Sequence, residues 1–93
     1  MVTMRIVGYN WDSLNRHGVT TEMIDEVLLG TMVSYFSVDE ADETCEILVG
    51  YTFTERLLEI GLRYPSPNEL YVFHAQTVSP QYRKLFEEDW KNG

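Results

Sequence analysis

The chain reads as an α+β domain: a small antiparallel sheet, two helices near the N-terminus after a short first strand, and one helix at the C-terminus. Three observations predict this. Between Trp11 and Leu29 the apolar residues Ile24, Val27 and Leu28 recur at three- and four-residue spacing, the signature of a helix with one buried stripe. From Thr31 to Ala75 the chain breaks into β-prone runs separated by short connections. After Ser79-Pro80 the helical spacing returns, with Tyr82, Leu85 and Phe86 on one face.

Taken in order, Met4–Gly8 (MRIVG) is a short β-prone run and forms the first strand. Asp12 is a suitable N-cap for a helical turn reaching His17, and Gly18 can end it in the left-handed conformation. Thr20 caps a second, longer helix, and Val19 beside Ile24 forms a hydrophobic staple at its entry. Gly30 suits its C-terminus. The run Thr31–Ser37 is a strand, and the acid-rich stretch that follows it (Asp39, Glu40, Asp42, Glu43 and Glu46) should be solvated. Its spacing does not match a calcium loop.

Glu46–Phe53 is the clearest strand, with Ile47, Val49, Tyr51 and Phe53 facing one way and Leu48, Gly50 and Thr52 the other. A two-residue turn at Thr54-Glu55 returns it as Arg56–Tyr64. There Leu58, Ile60, Leu62 and Tyr64 oppose Leu57, Glu59, Gly61 and Arg63. Pro65–Asn68 breaks the chain, and Leu70–Ala75 is the last strand. On strict alternation its His74 shares a face with Leu70 and Val72. Ser79 caps the terminal helix, which Trp90 extends by a turn. The four later strands are most simply a meander.

Length and charge bound the function. Ninety-three residues make one domain with one modest core. A helix layer on one sheet face can leave the other face wanting cover, so a homodimer is one expectation. Seven basic residues, five of them arginines, face fifteen acidic ones, a net charge of −8. Broad attraction to nucleic acid or anionic membrane is therefore disfavoured, because such binding rests on neutralising phosphates. Cys45 is the only cysteine, so no internal disulfide forms. Its acidic neighbours argue against a reactive thiolate. No run has transmembrane length and no signal peptide is evident, which makes the cytoplasm the expected location.

No metal or cofactor motif is present: no H-E-x-x-H, no phosphate loop, no dinucleotide fingerprint. The chemistry-bearing residues are two histidines and a few arginines. His17 reads either as a helix C-terminal capping group or as part of a site. His74, at the end of a strand, reads either as a partly buried ring tying the strand to the last helix or as an acid–base group. Arg63 on the neighbouring strand, Arg83 near the start of the last helix and Arg16 beside His17 could hold a phosphate around it. Such a set fits metal-independent RNA cleavage, which needs a base for the 2′-hydroxyl, an acid for the leaving oxygen and a cation for the phosphorane.

Several of these residues also carry a resemblance. Trp11-Asp12, Asn15, His17-Gly18-Val19 and the Glu-containing helix after them resemble the opening of BrnT-type toxins. Val49-Gly50, the His74-Ala75 pair at a strand end, and Arg83 with Phe86 on the last helix are similar to that family's later layout. The resemblance spans about Tyr9 to Phe86. It implies a toxin of a toxin–antitoxin pair, a RelE-like fold, metal-free RNA cleavage and an antitoxin partner. In this family lysine precedes the histidine, where this chain has Arg16. An arginine follows the alanine of the strand-end pair, where this chain has Gln76, and a basic residue stands where it has Glu46. With that positive charge removed, the favoured expectation is a divergent toxin-like domain that acts mainly by binding protein, an antitoxin-like partner or itself. The alternative is an endoribonuclease using His74, Arg63, Arg83 and Arg16.

Overall fold

A computed structural model describes residues 4–38 and 44–92. The acid-rich segment 39–43 lies outside the described residues, as does the side chain of Trp90. The order is β1 (Arg5–Tyr9), α1 (Trp11–His17), α2 (Thr21–Leu29), β2 (Met32–Val38), β3 (Thr44–Tyr51), β4 (Leu57–Ser66), β5 (Glu69–Thr77) and α3 (Pro80–Asn92). The α+β class and the helix order are those the sequence predicts. One sheet runs β1-β5-β4-β3-β2. Strands β2 to β5 are an antiparallel meander, and β1 joins β5 in parallel, so the sheet is mixed.

Both faces are covered. On one, Leu14, Val19, Ile24 and Val27 of the α1–α2 segment pack on Leu48, Leu58, Ile60, Leu62, Val72 and Ala75. On the other, Phe86 of α3 and Val78 pack on Cys45, Ile47, Val49 and Leu57. The period of two in β3 and β4 produces this division: odd residues of β3 serve one core and even residues the other. Rings reinforce the α3 side, with Tyr35 against Tyr82 at 5.6 Å and Tyr51 edge-on to Phe86 at 5.7 Å between centroids.

Local details differ from the sequence reading for identifiable reasons. The N-cap of α1 is Asn10, not Asp12: its side chain accepts from the Ser13 amide, and the helix begins at Trp11. Gly18 is left-handed (φ 63°) and Thr20 caps α2 through a bond from the Met23 amide, both as the sequence predicts. The β3–β4 connection spans residues 52–56. Thr52 accepts on its side chain from the Arg56 amide, and Glu55 takes the left-handed conformation (φ 66°) that a tighter Asn-Gly turn would have relieved. Glu46 belongs to β3, and its carboxylate accepts hydrogen bonds from the Ser34 and Tyr64 hydroxyls. No helix among the described residues is long and apolar enough to cross a membrane.

Helix α1 also finishes the sheet edge. Strand β1 ends at Tyr9, leaving the second half of β5 without a strand on the side away from β4. Asn10 then donates from its amide to Val72 O (2.7 Å) and from Nδ2 to Phe73 O (3.1 Å). Ser13 Oγ accepts the Ala75 amide at 3.2 Å. Two polar side chains of a helix start thus do the work of a strand, satisfying backbone groups that would otherwise be orphaned.

Candidate active site

Strand β5 is interrupted where His74 lies. Gly61 pairs with His74 and Leu62 with Val72, so Phe73 has no partner of its own. The extra residue is a bulge, and it puts Phe73 and His74 on the same side of the sheet. His74 therefore faces the α3 side, opposite to Leu70 and Val72, which corrects the strict alternation read from sequence. Gly61 makes room for this. A Cβ there would stand 2.6 Å from Phe73 Cζ.

On that side His74 meets Glu59. Its Nε2 lies 3.0 Å from Glu59 Oε2. The other carboxylate oxygen accepts from Ser79 twice, from the amide (3.1 Å) and from Oγ (2.6 Å). Glu59 is buried, and its side chain is 8% exposed against 27% for His74. Burial alone would push this carboxyl up, but the bonds from His74 and Ser79 outweigh it and hold the group below the usual range. An ionised carboxylate only accepts, so Nε2 carries the proton it shares and Nδ1 of neutral His74 is left as an acceptor.

The second histidine lies alongside. His17 ends α1, and its ring is edge-on to His74 with 6.3 Å between centroids. Arg56 fixes that helix end: its guanidinium donates to the carbonyls of His17 (2.8 Å) and Gly18 (2.9 Å) and to Thr77 Oγ1. The carbonyls at a helix C-terminus favour a cation, which explains the position of Arg56.

Of the four residues singled out from sequence, His74 is the centre. Arg63 lies on the same side, its guanidinium carbon 4.6 Å from the Phe73 ring, which is itself 6.3 Å from the His74 ring. Arg16 is exposed on α1, one residue before His17. Arg83 lies on the exposed surface of α3 in an i,i+4 pair with Glu87 at 3.8 Å, and is not drawn to His74. Sequence reasoning left out Glu59, Ser79 and Arg56. Glu59 had a readable signal: an acid within the apolar run LLEIGL of a central strand must find donors if it is buried. Among the described residues no group of three or more His, Cys, Asp or Glu is placed to hold a metal ion.

No family model matches the chain. A comparison with curated proteins likewise finds no match.

Proposed function

We propose that the chain is a divergent BrnT-like toxin domain that cleaves RNA by acid–base chemistry without a metal. The observation that carries this reading is the His17–His74 pair backed by the buried Glu59 carboxylate. In this reading Nδ1 of His74 takes the proton of a ribose 2′-hydroxyl as O2′ attacks phosphorus. Protonated His17 gives its proton to the departing 5′-oxygen. Glu59 holds His74 in the tautomer required. Arg63 on its aromatic platform and Arg16 beside His17 supply positive charge for the phosphate, on a chain whose net charge is otherwise unfavourable. The BrnT resemblance of Trp11-Asp12, Asn15 and His17-Gly18-Val19 supports the same reading.

The test is incubation of the purified chain with single-stranded RNA in chelator. Cleavage leaving 5′-hydroxyl ends is expected, falling about 10²–10⁴-fold in H74A or H17A. Intact RNA with the parent chain, or equal cleavage by both variants, overturns the reading.

A second reading, that the domain acts by binding another protein, is supported by a separate observation. Phe36 on the edge strand β2 is 73% exposed, and among the described residues β2 has a neighbouring strand on one side only.

A further inference from the structure

Among the described residues, strand β2 is an edge without the usual protection. Its seven residues, MVSYFSV, contain no lysine, no proline and no other charged group, and they pair with β3 without a bulge from Met32 to Val38. Edges of this kind are templates for another strand. The opposite edge, β1, carries Arg5, which is held by Glu69 at 2.7 Å.

Beside β2, on the α1–α2 face, lies a cavity of about 550 Å³. Leu48 and Leu62 are among its lining residues, with Ile6 and Leu28, while Met32 and Ser34 bring it to the β2 edge. Among the described lining residues Glu46 is the charged one. That carboxylate accepts one bond from Ser34 and one from Tyr64, and a carboxylate has room for about four. The cross-strand register places Ser34 between Met32 and Phe36 on this face, with Glu46 on the adjacent strand opposite Phe36. The small serine leaves a gap between two large side chains.

From this arrangement we infer that β2 and the cavity form one docking surface for an extended segment of a partner protein, with the pattern apolar–x–basic–x–apolar. The inference rests on the protein-binding reading above. The segment adds as a sixth strand on β2, so that main-chain bonds supply affinity and alternate side chains supply selection. Its lysine or arginine passes over Ser34 to Glu46, and the flanking apolar residues lie against Met32 and Phe36. Charge decides against a second copy as the occupant. The β2 strand has no cation to offer Glu46, Arg5 of the other edge is already paired, and two chains of −8 repel. A basic segment is attracted by the same charge.

The probe is a blocked nine-residue peptide with valines two positions either side of a central lysine and threonines elsewhere. Titrated into the isotope-labelled chain, it shifts the amides of 32–38 and the methyls of Met32, Leu48 and Leu62. E46Q, its fold checked by the same spectrum, weakens binding about tenfold. A glutamate-centred peptide, and a lysine-centred one N-methylated on alternate amides, do not bind. The proposal is overturned by absence of shifts, shifts on another face, equal binding of the glutamate peptide, or unchanged affinity of E46Q. Sedimentation of the chain alone separates this from the broader reading: self-association through β2 overturns the basic-strand proposal while leaving protein binding in place.

Discussion

Removing the Glu59 carboxylate strands three donors at once: His74 Nε2, the Ser79 amide and Ser79 Oγ. E59A should therefore cost about 1–3 kcal/mol in denaturant unfolding, the price of leaving a buried polar group unpaired. The same carboxylate ties stability to pH. Its folded pKa lies below the ordinary value of 4.5, so its contribution is complete above that value and is lost as pH falls through the lowered folded one. Thermal melts of the parent and E59Q should differ by a constant amount near neutrality and converge in acid. A gap that widens in acid would contradict this. Glu55 offers the opposite case. A non-glycine residue at φ 66° carries strain of about 1–2 kcal/mol, part of which glycine gives back as chain entropy. E55G should raise the free energy of unfolding by up to about 1 kcal/mol, read as a higher denaturant midpoint.

At the scale of elements, the end of α1 and the start of β4 are one unit because Arg56 bridges them. R56A removes bonds to two helix-terminal carbonyls and to Thr77, an expected loss of about 1.5–3 kcal/mol for bonds to a charged group. It also frees the His17 ring from its position, so any RNA cleavage should fall further than stability alone explains. Comparing turnover and folded fraction on the same sample separates the two. The elements themselves were largely legible. Thr20, Gly18 and Ser79-Pro80 mark helix ends by local chemistry, and the alternation in β3 and β4 assigns the right residues to each core. The bulge at Phe73 was not legible, because alternation counts residues and a bulge adds one without any change of residue type. Asn10 was missed as a cap because Asp12, two residues on, has equal capping chemistry, and only the bonds to Val72 and Phe73 decide between them. The Glu59–His74 contact was out of reach for a related reason: it depends on which face the bulge gives His74.

For the whole molecule, the sheet separates two cores that share no side chains. Ile24 belongs to one and Ile47 to the other. I24V and I47V should each cost about 0.5–1.5 kcal/mol, and the double variant should equal their sum within about 0.5 kcal/mol. A larger coupling would mean that strain passes through the sheet. Unfolding of the doubly substituted chain should remain one transition, since β3 and β4 contribute to both sides and neither core survives their loss.

The pairing of Gly61 with the unmatched Phe73 has a hereditary consequence. The two positions form a lock between chain length and composition: a relative lacking one codon at 73 would run a regular ladder there and could accept any side chain at 61. A relative that keeps the codon and a ring at 73 must keep glycine at 61 or turn that ring aside. Sequences of this kind should therefore show, wherever the glycine of β4 has been replaced, either a one-residue gap in β5 or a smaller residue at 73, and His74 should keep its partner in both.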